Sequence, residues 1–329
     1  MSQIDFLAIG DIVTEPFIRL TEAEILDRDS DTPKLAMRWG DKIPYDHFVL
    51  LAAVGNASNA AVSAARLGLN SALRAYVGAD SYGTQCLEVL AGEKVSTEFM
   101  VTEDGKHTNY HYVLWYENDR TILVKHENFS YTVPTLTESP KWVYLSSLAD
   151  NTLPYHEALA EMLARHPDTK LAFQPGTFQM SLGVEALKGL YAQSHLFVVN
   201  KDEARRILKA ETKDIKELLT ALHGLGPKLV VITDNTAGAY ASDGTHAWQV
   251  PLYPDVRKAF ERTGAGDAFA STLTSALALG KTFEEALLWA PINSMSVVQE
   301  VGAQKGLLTR EALENYLAQA PASYKLQTF

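Results

Sequence analysis

Short apolar runs in the second half of the chain, with mostly helical segments between them, constrain the fold more than any other feature. They span residues 142–145, 170–173, 195–199 and 229–233, and each has the length and composition of a buried strand. Strands that alternate with helices form parallel sheets, because right-handed crossovers place the helices on the two faces. With an earlier apolar strand at 4–9, the pattern predicts an α/β fold: a doubly wound, mostly parallel sheet with helices on both faces.

A glycine turn opens a long helical pattern late in the chain. Gly264, Ala265 and Gly266 precede Asp267, and apolar residues then recur at helical spacing up to Gly280. The first N–H groups of such a helix have no intrahelical partner, so together with the helix dipole they form an anion site. Asp267 would repel a resting phosphate, which favours a base that acts on the attacking group. The alternative is a plain turn with Asp267 as a helix-opening acid.

The net charge and the cysteine content limit the binding partners and the cellular compartment that we expect. The formal net charge of -11 argues against nucleic acid and anionic membranes as partners, although local amides and metals still allow phosphorylated ligands. One cysteine, Cys86, excludes an internal disulfide and fits a reducing cytosol. With no signal segment, membrane span or interdomain linker in the pattern, we expect a soluble cytoplasmic protein with one domain over residues 1–329.

The sequence Thr-Gly-Ala-Gly-Asp-Ala-Phe at 263–269 resembles the C-terminal signature of the ribokinase-like (PfkB) sugar and nucleoside kinases. The resemblance implies a ribokinase-like fold, with ATP and Mg²⁺ as cofactors. It implies that Gly264, Ala265 and Gly266 stabilise the transferred phosphoryl group and that Asp267 takes the proton of the acceptor hydroxyl.

An acceptor site is implied near the start of the chain. The sequence Val-Gly-Asn-Ala-Ser-Asn, which ends at Asn59, resembles the family's Gly-Gly-x-x-x-Asn motif, in which glycine backbone and asparagine hold sugar hydroxyls. Gly55 and Asn59 are therefore candidate substrate contacts, although Val54 replaces the first glycine. Asp11 and Glu15 follow the first strand as further candidates, and Glu15 replaces the family's shorter sugar-contacting aspartate. A helix cap or a buried amide is the alternative for Asn59.

A metal site is implied where a predicted strand ends at Asn200. The spacing from Asn200 to Glu203 matches the family's Asn-x-x-Glu motif, which organises magnesium, phosphate and bridging waters. Mg²⁺ prefers oxygen ligands and keeps several waters, so one carboxylate and one amide acting partly through water are suitable ligands. A helix-capping asparagine after a strand explains the motif equally well.

Nucleotide contacts are implied in two later segments. Thr233, Asn235 and Gly238 lie in Thr-Asp-Asn-Thr-Ala-Gly, which resembles the family's Thr-x-Gly-x-x-Gly segment at the nucleotide phosphates and ribose. Asn235 replaces a glycine, and asparagine tolerates positive φ better than most residues. Asn293 and Gly302 resemble the adenine-side helix and its terminating Gly-Ala. A buried helix amide is the alternative for Asn293.

The segment before the glycine turn departs from the family. Glu261 and Arg262 stand where many members have Asp-Thr close to a monovalent cation, so the resemblance does not imply potassium dependence. Arg262 is one step from the anion site and is a candidate to neutralise phosphate charge.

Two strand-rich segments, about 14–54 and 97–127, do not fit the alternating pattern of the large sheet. They predict a small β-sheet lid that excludes water from the sugar site. Family lids often pair between subunits, which implies a homodimer through the lid. Arg120, near a turn in the second segment, is either a contact to an anionic group or a solvated arginine.

These features favour an ATP-dependent kinase that phosphorylates a primary hydroxyl of a small sugar. A nucleoside kinase of the same fold and a catalytically silent sensor of nucleotide or sugar are the alternatives. The intact glycine turn and Asp267 argue against the silent sensor.

Overall fold

The computed structural model describes residues 3–30, 32–117, 119–257 and 263–329. Its strands, in chain order, are β1 (Phe6–Ile9), β2 (Val13–Leu20), β3 (Glu24–Leu26), β4 (Lys34–Ala36), β5 (Tyr45–Val54), β6 (Ser71–Arg74), β7 (Tyr76–Gly78), β8 (Val101–Glu103), β9 (Tyr112–Tyr116), β10 (Asp119–Leu123), β11 (Trp142–Leu145), β12 (Lys170–Phe173), β13 (Ser194–Asn200), β14 (Leu229–Thr233), β15 (Ala239–Ser242), β16 (Ala247–Val250) and β17 (Gln327–Thr328).

The helices, in chain order, are α1 (Asn56–Arg66), α2 (Ser81–Gly92), α3 (Leu153–Arg165), α4 (Thr177–Leu182), α5 (Lys188–Gln193), α6 (Lys201–Leu208), α7 (Ile215–His223), α8 (Ala265–Ala278), α9 (Phe283–Val297) and α10 (Arg310–Ala318). Sequence signals explain several of their ends. Thr282 and Glu285, for example, form the capping box that starts α9. Within the described residues, no helix has both the length and the apolar character that crossing a membrane requires.

The large sheet has the strand order β17-β16-β15-β14-β13-β12-β11-β1-β6 within the described residues. Neighbours from β6 to β14 run parallel, and the remaining strands add antiparallel pairs at one edge. The predicted doubly wound, mostly parallel sheet is therefore confirmed. The carboxyl ends of β12, β13 and β14 lie next to one another, which brings the residues after each strand together.

The core lies on both faces of this sheet. In β1, Phe6 and Ala8 pack into one buried cluster, while Leu7 and Ile9 pack into the cluster on the opposite face. Successive side chains of a strand point to opposite faces, so a strand covered on both faces is apolar throughout. Burying each large apolar side chain stabilises the fold by about 1.5–3 kcal/mol.

The predicted lid is a second sheet with the order β10-β9-β2-β5. Its central pair, β2 and β9, is parallel and comes from the two segments singled out in the sequence, whereas the outer pairs are antiparallel. Phe17, Val113 and Trp115 are buried on the inner face. The alternate positions of the same strands, such as Phe48 and Tyr112, are exposed on the outer face.

Parts of the two predicted lid segments lie outside the four-stranded sheet. Val101–Glu103 pairs with Tyr76–Gly78, and Glu24–Leu26 pairs with Lys34–Ala36 in a separate hairpin. Gly78 also allows the chain after β8 to pass close to β7, because a Cβ there would clash with the backbone of Lys106 and His107. The lid is thus smaller than the sequence pattern predicted.

Candidate active site

A cleft of about 330 Å³ lies between the lid and the carboxyl ends of the large sheet. It is lined by many of the predicted site residues: Glu15, Gly55, Asn59, Asn200, Glu203, Thr233, Gly264, Gly266 and Asp267. The other predicted residues lie outside the lining: Asp11, Ala265, Asn235, Gly238, Asn293 and Gly302. The three predicted motifs for acceptor, metal and phosphoryl group therefore meet in one cleft.

The glycine turn forms as predicted at the start of α8. Gly264 has φ 79, and a Cβ there would clash with Ala303, so only glycine fits. The first helical hydrogen bond runs from the N–H of Ala268 to the carbonyl of Gly264. The N–H groups of residues 265–267 precede that bond and have no intrahelical partner. Together with the helix dipole they can bind an anion in the cleft.

Asp267 joins the glycine turn to the predicted acceptor motif. Its Oδ1 accepts a 2.9 Å hydrogen bond from the amide of Asn56, and its Oδ2 accepts one of 2.9 Å from the amide of Asn59. Gln174 also donates to Oδ1, at 3.5 Å. The sequence indicated Asn59 but not Asn56, although Asn56 begins the same helix.

The surroundings of Asp267 raise its pKa from the ordinary value of 3.8 to about 6. Burial is the largest cause, because it disfavours the charged form. The negative charges of Glu15 and Glu203 act in the same direction, while hydrogen bonds from Asn59 and Gln174 oppose it. A carboxylate with a pKa near the working pH is well suited to general base catalysis.

Gln174 is a site residue that the motifs did not indicate. It follows the last residue of β12 and lines the cleft. The hydroxyl of Tyr144, on the neighbouring β11, donates to its carbonyl oxygen, so the amide N–H₂ faces Asp267. Its place directly after a predicted parallel strand was the available signal.

A group of carboxylates and histidines surrounds Glu15, which lines the cleft. Tyr131 donates a 2.8 Å hydrogen bond to Asp11, and His126 Nδ1 lies 3.0 Å from the other oxygen of Asp11. His111 Nδ1 lies 3.6 Å from Glu15, and the two imidazole rings pack at 5.1 Å. Asp11 Oδ2 and His126 Nδ1 face each other as an ion pair, whereas the buried Nε2 of His111 has no hydrogen-bond partner among the described residues. Because an unpaired polar atom is costly to bury, His111 points to a functional site.

Asn200 and Glu203 form a capping box at the start of α6. The N–H of Glu203 donates to the side chain of Asn200 at 2.8 Å, and the N–H of Asn200 donates to the Glu203 carboxylate at 2.8 Å. Burial raises the pKa of Glu203 above its ordinary value. Helix capping, the structural alternative, is thus present, and both residues also line the cleft. The described residues contain no group of three or more His, Cys, Asp or Glu suited to hold a metal.

The segment after β14 adopts the turn predicted for the nucleotide side. Asn235 has φ 44 and Gly238 has φ 88, so the asparagine takes the backbone conformation that a glycine would. Gly238 packs against the carbonyl of Val250. Thr233 lines the cleft, and a 3.0 Å ion pair between Lys201 and Asp234 ties this turn to α6.

Asn293 is held inside the protein, which corrects its candidacy as a base or ribose contact. Its side chain is fully buried. The N–H₂ donates to Thr272 at 2.7 Å, and the oxygen accepts from the N–H of Leu308 at 2.9 Å. Both ends of the amide are therefore engaged, so the structure supports the buried helix amide.

Gly302 is also buried, and a Cβ there would clash with the side chain of Leu51 from the lid. Val54, which replaces a family glycine, lines the cleft. The residue before it, Ala53, takes φ 59, an unusual conformation for alanine. Gly55 has φ 109 and lies against the backbone carbonyl of Asp11. Gly302 and Gly55 thus allow close packing between the lid and the large sheet.

The lid contributes Arg120 and Ile122 to the cleft. Ile122 pairs in register with Val113, and Arg120 with Trp115, so both lie on the inner face. Arg120 is thus placed toward ligands rather than in bulk solvent, which favours the first of its two interpretations. Glu261 and Arg262, on which the cation and phosphate-charge hypotheses rested, lie outside the described residues.

Comparison with known proteins identifies relatives by sequence. The family model described as pfkB family carbohydrate kinase matches residues 26–310. Ribokinase from Bacillus subtilis is 28% identical over 283 residues, which covers 80% of this chain and 87% of that protein. An ATP-dependent 6-phosphofructokinase from Thermoanaerobacterium thermosaccharolyticum is 26% identical over 246 residues, which covers 71% of this chain and 74% of that protein.

Solved structures confirm the predicted ribokinase-like fold. Ribokinase of Arabidopsis thaliana, complexed with ribose and ATP, matches with a TM-score of 0.79 and 19% identity over 96% of this chain and 99% of that one. A nucleoside kinase of Methanocaldococcus jannaschii matches with a TM-score of 0.78 and 16% identity over 97% and 100% of the two chains. The family match also confirms the predicted enzyme class, an ATP-dependent carbohydrate kinase. The chain belongs to the pfkB family of carbohydrate kinases.

Proposed function

We propose that the protein transfers the γ-phosphoryl group of ATP to a primary hydroxyl of a small sugar. The observation that carries this proposal is the position of Asp267, between the glycine turn and the two asparagines of α1, at the wall of the cleft. An acceptor hydroxyl held there lies between a base and an anion site. That arrangement is what an in-line transfer to an alcohol requires.

Asp267 would accept the proton of the attacking hydroxyl. Its raised pKa of about 6 makes it a stronger base than an ordinary aspartate, while it stays ionised at neutral pH. The N–H groups of residues 265–267 would donate to the oxygens of the phosphoryl group as it moves. These groups are fixed by the backbone, so they need little reorganisation during the reaction.

The donor set near β13 fits a magnesium–nucleotide complex. Asn200 and Glu203 supply oxygen atoms at the end of the strand, and Mg²⁺ is usually bound by one or two carboxylates together with phosphates and waters. An ion held by Asn200 and Glu203 would supply positive charge close to the phosphates. Glu203 would bind it, partly through water, and Thr233 and the turn at residues 235–238 would lie along the nucleotide.

The acceptor end favours a sugar over a nucleoside. Glu15, Asn56 and Asn59 line it with carboxylate and amide groups, and no aromatic ring is among the described residues that line the cleft. Hydroxyl groups can both donate to carboxylates and accept from amides, whereas a nucleobase is usually held by stacking on an aromatic or apolar surface. The altered Val54 and Glu15 leave the individual sugar open.

The whole chain would act as one domain with the four-stranded sheet as its lid. The lid's inner face lines the cleft through Glu15 and Ile122, so closure would exclude water from the phosphoryl group. Its outer face exposes Phe48 (52%), Tyr112 (46%) and Leu123 (53%). An apolar sheet face of this kind is usually covered, and a second copy of the lid, in a homodimer, would cover it.

A coupled assay of ADP release over a panel of sugars and nucleosides tests the proposal. The expected result is magnesium-dependent turnover on one or a few sugars, and loss of that turnover in Asp267→Asn. Turnover on nucleosides alone would replace the sugar with the nucleoside alternative. Tight binding of ATP and a sugar without turnover on any acceptor would indicate a silent sensor.

A further inference from the structure

A segment near the end of the chain, residues 302–308, runs behind the active site and contacts several of its parts. Gly302 packs against Leu51 of the lid, and Ala303 packs against Gly264. The side chain of Gln304, the next residue, reaches the start of α1. Its Nε2 donates to the carbonyl of Ala53 at 2.7 Å and to Oδ1 of Asn59 at 3.0 Å.

These contacts fix which way each amide points. The backbone carbonyl of Ala53 can only accept, so Gln304 must present its N–H₂ group there. Asn59 must then turn its oxygen toward Gln304, which leaves its own N–H₂ toward Asp267, at 2.9 Å. Reversing Asn59 would place its N–H₂ against that of Gln304 and its oxygen against the carboxylate of Asp267, and reversing Gln304 would place its oxygen against the oxygens of Ala53 and Asn59. The carbonyl of Ala53 thus fixes the orientation of the Gln304 amide. That amide in turn fixes the orientation of Asn59, which donates to the carboxylate of Asp267.

We propose that Gln304 is a positioning residue for phosphoryl transfer, which locks the amide of Asn59 so that it donates to Asp267. The proposal rests on the function proposed above, in which Asp267 is the base. When the Gln304 amide is removed, the amide of Asn59 can rotate, and the carboxylate of Asp267 then loses one of its N–H donors. A hydrogen bond to the charged form favours that form, so its loss would make Asp267 harder to ionise.

A change in the ionisation of Asp267 can be measured in a pH profile of kcat. Several charged and titratable groups around Asp267 also influence it. Glu15 on β2 and Glu203 on α6 raise its pKa by their negative charge. Tyr144 on β11 contacts it through Gln174, and Arg120 on β10 lines the same cleft. The hydrogen bonds given for the Gln304 side chain within the described residues go to Ala53, Ser58 and Asn59, and of these three residues Asn59 is the one that donates to Asp267. A substitution of Gln304 therefore acts on the base through Asn59.

The backbone at Gln304 is held independently of its side chain. Arg66 Nη1 donates to the Gln304 carbonyl at 2.7 Å and to that of Leu307 at 2.8 Å. Arg66 is itself paired with Glu93 at 2.7 Å. The segment therefore stays anchored when the amide is replaced, and the variants below are expected to fold.

The test compares Gln304→Glu, which keeps the shape but removes the N–H₂ group, with Gln304→Met. Gln319→Glu, at an exposed position at the end of α10, is the control. For both Gln304 variants we expect kcat to fall about tenfold or more and KM for ATP to change less than about twofold. The acid limb of the kcat profile should move to higher pH by about half a unit or more. A merely structural role would lower activity without moving that limb.

A double variant tests the route of the effect. If Gln304 acts through Asn59, Gln304→Met combined with Asn59→Leu should turn over no more slowly than Asn59→Leu alone. The proposal would be overturned if the losses in kcat of the two single variants multiplied in the double variant. Folded Gln304 variants with the wild-type pH profile would overturn it as well.

A readout without turnover separates this proposal from the proposed function. The side-chain amide signals of Asn59 can be assigned by nuclear magnetic resonance through their loss in Asn59→Leu. The hydrogens of this amide should exchange with solvent slowly in the wild type and faster in Gln304→Met. Equal exchange in both proteins overturns the lock. Retained turnover in Asp267→Asn overturns the assignment of the base instead.

Discussion

Asn59 and Asp267 lie 208 positions apart in the chain, and the amide of the first donates a 2.9 Å hydrogen bond to the carboxylate of the second. The residue implied in acceptor binding is therefore also a partner of the proposed base. An acceptor hydroxyl that displaces or shares this amide changes the environment of Asp267 at the moment of binding. We therefore expect acceptor binding to change the base strength of Asp267.

Asp267→Asn should abolish turnover, with a loss of about 10²-fold or more, because asparagine cannot take the hydroxyl proton. ATP binding, measured by calorimetry, should be largely retained, since the backbone N–H groups of the turn are unchanged. Asp202→Asn is the matched control, because Asp202 is exposed in the first turn of α6. Near-normal turnover in Asp267→Asn would remove it as the base.

Turnover should fall as the pH drops below about 6, because the base must be ionised and its pKa is raised to about 6. Stability should depend on pH in the opposite direction. The folded-state pKa lies above the ordinary 3.8, so the folded protein binds the proton more tightly and loses stability as the pH rises from about 4 through 6. Urea unfolding of Asp267→Asn across this range should lack that component, and the same pH dependence in the variant and the wild type would contradict it.

Glu203→Gln should raise the magnesium concentration needed for half-maximal rate, since one carboxylate charge is lost. Glutamine can still accept the capping hydrogen bond from the N–H of Asn200, so α6 should remain intact. Glu211→Gln, at an exposed position after α6, serves as the control. A metal titration identical to the wild type would exclude Glu203 from the metal site.

Substitution of Phe48 and Leu123 by serine on the outer face of the lid should convert a dimer into monomers at micromolar concentration. Sedimentation velocity measures the change, and the loss of apolar area in the interface is its cause. Leu252→Ser removes an equally exposed side chain (51%) outside the lid and should have no effect. A monomeric wild-type protein would rule out the dimer.

His111→Gln should raise KM for the acceptor several-fold more than KM for ATP. His111 lies beside Glu15, and its buried Nε2 has no hydrogen-bond partner in the described part of the chain. A ligand hydroxyl can satisfy both groups. His246→Gln changes an exposed histidine that is paired with Asp243 and is the control. Equal effects on the two KM values would show that His111 does not discriminate acceptors.

The sequence was sufficient to predict the parallel sheet, the lid and the glycine turn. Their signals are local: apolar runs with helices between them, β-branched segments, and a Gly-x-Gly before a helical pattern. The cleft residues Glu15, Asn59 and Asp267 followed from motifs on these elements. Asn59 and Asp267 could be placed because the start of a helix fixes where its first side chains lie, whereas Glu15, inside β2, followed from the family resemblance.

Residues that act across elements could not be predicted in this way. Gln174 follows a predicted strand but belongs to no motif, and Gln304 has neither signal. The tertiary fold brings their side-chain amides to Asp267 and Asn59. Asn293 shows the reverse case. A polar residue inside a helix gives the same pattern whether it meets a ligand or, as here, Thr272 and the N–H of Leu308.

The lid has a mechanical consequence that follows from how the chain enters and leaves it. The chain passes between the large sheet and the lid next to Asp11, Gly55, His111 and His126, at the ends of β2, β5, β9 and β10. These hinge points coincide with the candidate acceptor contacts, so the lid cannot swing without moving them. We therefore expect the free energy of lid opening to depend on whether an acceptor is bound. The coupling is reciprocal, so the state of the lid also changes the affinity for the acceptor. Acceptor alone, without nucleotide, should slow amide hydrogen exchange throughout β9 and β10.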